Sequence, residues 1–184
     1  VKHIAHVEVG ARDGLQNERA ILPVPARLEL IARLIENGAR RLEVASFVDP
    51  ARVPQMHGAE ELAGALPYRD DVVYIGLVLN KRGALRALAG PLQELGAVVP
   101  VTDGFGIANQ GKSAAQALAI AGEIGALARD AGRRFQITLS VAFGCPFEGE
   151  VAPARVVDMA RAAARFAPLE IAIADTIGVA GPGE

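Results

Sequence analysis

VEVGARDGLQNE, residues 7–18, opens as an apolar strand and then sets Arg12, Asp13, Gln16, Asn17 and Glu18 within seven positions. The reading of this stretch decides between two folds. Apolar runs of strand length recur at 3–10, 41–47, 72–79, 96–101, 135–143 and 169–175, and helical spacing fills most of the gaps between them. Residues 26–38, ARLELIARLIENG, carry Leu28, Ile31, Leu34 and Ile35 on one face and stop at Gly38. Further helices are expected over 57–66, 82–95, 113–131 and 153–167, the last opened by Pro153. A βα alternation of this kind leaves an open doubly wound sheet or a closed (β/α)₈ TIM barrel. The open sheet calls for a glycine-rich phosphate loop after the first strand, and GARDGLQNE is not one. The barrel is therefore favoured, as a single domain over 1–184.

A barrel of this class takes about 250 residues. The 184 residues here hold about six of the eight βα units, so the expectation is a domain incomplete at its C-terminus. Aliphatic residues are abundant and aromatics scarce, which suits parallel strands under Ala-rich helices. A net charge of −2 with mixed signs argues against a nucleic-acid groove or an anionic membrane surface as partner. No run is apolar enough to span a bilayer, and no signal peptide is legible at the start. The single cysteine, Cys145, excludes an intrachain disulfide and suggests a reducing, cytoplasmic setting.

In parallel βα units the loops after the strand ends share one face, and that face carries the chemistry of such barrels. Arg12, Asp13, Gln16 and Asn17 follow the first strand, Thr102 and Asp103 the fourth, and Asp175 and Thr176 close the sixth. Glu8 and Glu43 lie inside strands, where a carboxylate without a partner is costly to bury. Arg12 is a candidate partner for such an acid, and Asp13 a candidate holder of a cation. Plainer roles stand beside these: Asp13-Gly14 as a turn, Asn17-Glu18 as a helix start, Asp175-Thr176 as a cap. Cys145 reads as a small buried residue and not as a nucleophile. His3 and His6 point to opposite faces of one strand, and His57 sits in a loop, so no histidine-rich metal site is expected.

Four stretches, VEVGARDGLQNE, VASFVDPARVPQM, FGCPFEGEV and IADTIGVAGPGE, together resemble the 3-hydroxy-3-methylglutaryl-CoA (HMG-CoA) lyases, metal-dependent enzymes built on (β/α)₈ barrels. The resemblance runs in order along essentially the whole chain. It implies retro-Claisen cleavage of HMG-CoA to acetyl-CoA and acetoacetate with Mg²⁺ or Mn²⁺, an acyl-CoA partner and a homo-oligomer. It makes Asp13 a metal ligand, Arg12 the group that contacts substrate and steadies the enolate, and Glu43 an acidic catalytic residue. Gln16, Thr102, Asp175 and Thr176 become substrate-binding candidates, with PVTDGFGIANQ (100–110) departing from the usual wording around Thr102. The family's two His ligands, its Asn ligand and its mobile-loop Cys come after the sixth strand, so the chain alone is expected to be inactive. A related aldolase or Claisen-condensing synthase acting on a 2-oxo acid is the neighbouring alternative, and a non-catalytic barrel fragment the more distant one.

Overall fold

The computed structural model describes residues 4–181 and Gly183. They fall into two compact units.

The first unit comprises the residues up to Val78 together with Arg82–Leu95. Its elements are a π-helical turn at Gly10–Gly14, α1 (Val24–Glu36), β1 (Arg41–Ser46), a 3₁₀ turn at Pro54–Met56, α2 (Ala59–Ala65), β2 (Val73–Val78) and most of α3 (Lys81–Leu88). β1 and β2 pair in parallel from Arg41 opposite Val73 to Ser46 opposite Leu77. Both strands are buried along nearly their whole length, which is why they read as continuous apolar runs and not as alternations. The buried stripe of α1 is Val24, Arg27, Ile31 and Ile35. Arg27 occupies a core position because its guanidinium reaches two carbonyls, His57 O at 3.0 Å and Val44 O at 3.4 Å. It thereby ties α1 to β1 and to the segment leading into α2, and burial pushes its pKa down.

The strand expected over 3–10 is not formed as such. His3 lies outside the described residues, 4–7 have no regular structure, and Glu8 makes one parallel bridge to Leu42. The amide of Glu8 donates to Arg41 O and its carbonyl accepts from Glu43 N, both at 2.9 Å. The ladder ends there because the chain turns at Gly10 into the π-helical turn, where the Val9 carbonyl takes the amides of Arg12, Asp13 and Gly14. The helix expected over 82–95 is shorter too. It stops at Leu88 before Gly90-Pro91, and the residues from Glu94 enter a strand instead.

The second unit comprises Leu79–Lys81 and the residues from Gly96 onward. It holds the rest of β3 (Glu94–Pro100), then α4 (Asp103–Gln110), α5 (Ala114–Asp130), β4 (Arg134–Ser140), the hairpin strands β5 (Gly144–Cys145) and β6 (Gly149–Glu150), α6 (Pro153–Ala164) and β7 (Ile171–Ile173). β3, β4 and β7 are neighbours in that order, and β4 pairs with β7 in parallel. α5 starts with a complete capping box, Ser113 and Gln116 each accepting the other's backbone amide. The strand expected to reach 143 ends at Ser140, where Val141 adopts φ 52°, a left-handed conformation that a β-branched side chain rarely takes. Among the described residues no helix is long and apolar enough to cross a membrane.

Candidate active site

In the first unit the bridge at Glu8 anchors the chain beside β1, and the π-helical turn then reverses it so that Arg12 points back at that strand. Single π turns of this kind commonly mark functional positions. The Nε and Nη2 groups of Arg12 both donate to Glu43 Oε1, and Nη1 donates to Asp13 Oδ1 at 2.7 Å and to Gln16 Oε1 at 3.5 Å. Burial separates these contacts. The side chains of Arg12 and Glu43 are 13% and 7% exposed, whereas that of Asp13 is 55% exposed. Burial pushes the Glu43 carboxyl above the ordinary carboxylate range, against the downward pull of the Arg12 charge and hydrogen bonds. The structure thus brings together Arg12, Asp13, Gln16 and Glu43: a guanidinium held from within by one acid and flanked outside by another.

Thr102, Asp175 and Thr176 belong to the second unit, and their polar atoms are engaged within it. Thr102 is fully buried, and its hydroxyl donates to Cys145 Sγ at 3.1 Å instead of capping α4. The carboxylate of Asp175 accepts the amides of Val179 at 3.1 Å and Ala180 at 2.8 Å, the cap-like role open to it in the sequence. Those amides hold its carboxyl below the usual range. Thr176 Oγ1 accepts the amide of Val141 at 2.7 Å and so braces the left-handed residue that ends β4. Cys145 is buried, as expected of a small residue of this kind.

Two arrangements escaped the sequence. Glu148 accepts the amide of Gly104 at 2.6 Å, capping α4 from 44 residues away, while its other oxygen takes Arg155 Nη1 at 2.8 Å. Both contacts hold its carboxyl below the ordinary range. Glu8 accepts the amide of Gly10 at 2.6 Å, at the start of the turn that carries Arg12 and Asp13. An acid two residues ahead of a glycine was the available signal, masked by reading the segment as a strand.

For a divalent cation the donor chemistry fits in kind. Asp13 offers a hard, half-exposed carboxylate of the type Mg²⁺ and Mn²⁺ prefer. It does not fit in number, since among the described residues no three His, Cys, Asp or Glu side chains converge on one point.

Residues 3–184 match the family model described as HMGL-like. The chain is 38% identical to an (R)-citramalyl-CoA lyase of Chloroflexus aurantiacus, over 96% of this chain and 59% of that protein. It is also 38% identical to a hydroxymethylglutaryl-CoA lyase of Pseudomonas mevalonii, again over 96% of this chain and 59% of the relative. An HMG-CoA lyase structure from Acinetobacter baumannii, in complex with coenzyme A and 3-methylmalate, superposes with a TM-score of 0.92 at 33% identity, covering 96% of this chain and 58% of that one. The expected α/β class with parallel strands agrees with the HMG-CoA lyase barrels, of which the chain matches a part. It spans about 59% of the length of the curated relatives it matches. With the match running from residue 3 to residue 184, the chain belongs to the HMGL-like family.

Proposed function

We propose that this chain carries the substrate-gripping arginine and one metal ligand of a carbon–carbon lyase that cleaves a 3-hydroxy-3-methylacyl-CoA thioester, with HMG-CoA as the first reading. One observation carries the proposal: the Arg12 guanidinium is immobilised from the protein side by Glu43 and presents Nη1, with Asp13 and Gln16, on the exposed side.

In a retro-Claisen cleavage the tertiary hydroxyl loses its proton and its carbon becomes a ketone. The adjacent carbon–carbon bond breaks, and its electron pair passes into the thioester as an enolate, which is then protonated to acetyl-CoA. A permanently protonated guanidinium with fixed donors suits the developing enolate oxygen better than a lysine, whose charge titrates. Arg12 would donate through Nη1, exchanging its exposed contact with Asp13 for the substrate oxygen, with Gln16 within reach of the same atom. Glu43 would act through Arg12 as a positioning residue, because the oxygen that faces the guanidinium is already committed. Lyases of this family depend on a divalent metal in general. When bound, such an ion supplies Lewis acidity that makes the substrate hydroxyl easier to deprotonate, and Asp13 is the residue of this chain that would hold it.

The equal 38% identity to a citramalyl-CoA lyase favours one second reading. Citramalyl-CoA has the same methyl-bearing carbinol and thioester but carries a carboxylate directly on the carbinol carbon, so its cleavage releases a 2-oxo acid in place of acetoacetate. The test incubates the intact gene product with each thioester and Mg²⁺ or Mn²⁺, and measures acetyl-CoA together with the oxo-acid product. The expected result is acetyl-CoA from at least one thioester, abolished by chelation, restored by metal and lost in Arg12→Gln. Release from neither thioester with both metals supplied would refute the proposal.

A further inference from the structure

We propose that Glu8 is a positioning residue, whose carboxylate caps the turn from which Arg12 and Asp13 project. The inference rests on the lyase reading for its effect on turnover, but its structural core stands on contacts within the first unit.

A helical turn leaves its first amides without partners inside the turn. Here the residue ahead of the turn is Val9, which has no side-chain acceptor, and its carbonyl is already shared by the amides of Arg12, Asp13 and Gly14. The amide of Gly10 is satisfied by Glu8 Oε1 at 2.6 Å, so the residue before Val9 performs the capping. A Cβ at position 10 would stand 2.8 Å from that same oxygen, so a side chain there has to push the Glu8 carboxylate away from the amide.

The backbone of Glu8 is also the point at which this segment joins β1. Its carbonyl accepts the amide of Glu43, the residue whose carboxylate holds Arg12. One residue thus sets both halves of the ion pair. Its main chain fixes the register of the segment against Glu43, and its side chain fixes the direction in which the next four residues leave. Without the cap the turn can reorient about Gly10, and the guanidinium loses its registration with Glu43. Errors of this size at a reacting group, on the order of 1 Å, reduce turnover by up to about 100-fold.

A carboxylate so near Arg12 and Asp13 could act instead through its charge, and the two roles separate by substitution. Glu8→Gln keeps an acceptor oxygen at the same reach and removes the charge, while Glu8→Ala removes both. In the intact gene product, Glu8→Ala is expected to lower kcat about 10- to 100-fold with KM changed about 3-fold or less, and Glu8→Gln to recover kcat to within about 3-fold of the parent. Selective ¹⁵N-glycine and ¹⁵N-arginine labelling supplies a readout independent of activity. The Gly10 amide and the Arg12 Nε–H resonances should shift in Glu8→Ala and in Gly10→Ala and stay close to the parent in Glu8→Gln. An Arg12 resonance unmoved in Glu8→Ala overturns the proposal, as does a Glu8→Gln protein as slow as Glu8→Ala. If Glu8→Ala does not fold, Gly10→Ala carries the same test, and an unmoved Arg12 resonance there overturns it equally. Should the protein cleave neither thioester, the lyase reading falls, and the two resonances alone decide whether Glu8 positions the turn.

Discussion

Removing either half of the Arg12–Glu43 pair is predicted to destabilise the chain with a different dependence on pH, because only one of the two groups can discharge. In Glu43→Ala the guanidinium keeps Asp13 and Gln16 on Nη1 but loses the acceptor of Nε and Nη2. A guanidinium does not give up its proton in a protein. Breaking a buried pair from one side then costs about 3 kcal/mol. In Arg12→Ala the stranded carboxyl has a way out, for burial already pushes Glu43 upward and the opposing pull of Arg12 is now gone. A carboxyl whose folded pKa exceeds its unfolded value binds its proton more tightly in the folded state. Its contribution to stability is fully present below the unfolded value of about 4.3 and is lost as pH rises through the folded pKa. The loss is limited to about 1.4 kcal/mol per pH unit for one proton. Urea midpoints read by circular dichroism between about pH 5 and 8 should therefore fall with pH in Arg12→Ala, relative to the double variant Arg12→Ala/Glu43→Gln, which has no proton to lose at position 43. Glu43→Ala should show no such slope from this site. If the Arg12→Ala and double-variant curves run parallel across that range, the buried carboxyl is not what Arg12 compensates, and the reasoning fails.

Glu94 is fully buried and accepts from Nε of Arg41 at 3.2 Å and from its Nη2, so Glu94→Ala should cost about 3 kcal/mol by urea unfolding. Gly106→Ala would place a Cβ 2.4 Å from the Lys112 carbonyl and should cost about 1–3 kcal/mol, whereas Gly64→Ala, in α2 with nothing within 4 Å, should gain about 0.5–1 kcal/mol; paired thermal melts read both. The low pKa of Asp175 makes its amide contacts present above the ordinary Asp value and lost as pH falls through the folded one. An NMR titration should show the Val179 and Ala180 amides moving together with a midpoint below that of a free aspartate.

The elements legible in the sequence were those whose burial is continuous. β1, β2 and β4 announce themselves as apolar runs, and α1, α5 and α6 begin or end on Gly38, Ser113 and Pro153 as their chemistry requires. The elements that were missed are those made by distant partners. α4 contains Gly104 and Gly106, poor helix formers, and its N-terminus is satisfied by Glu148 on the β5–β6 hairpin. No window around residues 103–110 contains that information. The first strand failed for the opposite reason. Glu8 spends its side chain on Gly10, and the chain turns after a single bridge. At the candidate site, the adjacency of Arg12 and Asp13 was plain. That Glu43, 31 residues away, holds the inner side of the guanidinium followed only from asking what a buried carboxylate must pair with. Thr102 is a substrate-binding candidate by resemblance alone, and its inward hydroxyl contact with Cys145 Sγ, 43 residues away, has no local signature.

The unequal burial of the two carboxylates around Arg12 also determines which contact can yield to a ligand. An ion pair in water contributes about 0–1 kcal/mol, and the Arg12–Asp13 contact, with Asp13 more than half exposed, belongs to that class. The Arg12–Glu43 contact is largely withdrawn from solvent, and separating it would strand a charge at a cost of several kcal/mol, roughly 3–5. On the proposed lyase reading, an arriving oxyanion would displace Asp13 from Nη1 and leave Glu43 in place on Nε and Nη2. The same exchange would leave the Asp13 carboxylate without its cationic partner, the condition that favours its binding another cation. The inner acid keeps the guanidinium aimed, and the outer acid is free to change partners because water already competes for it.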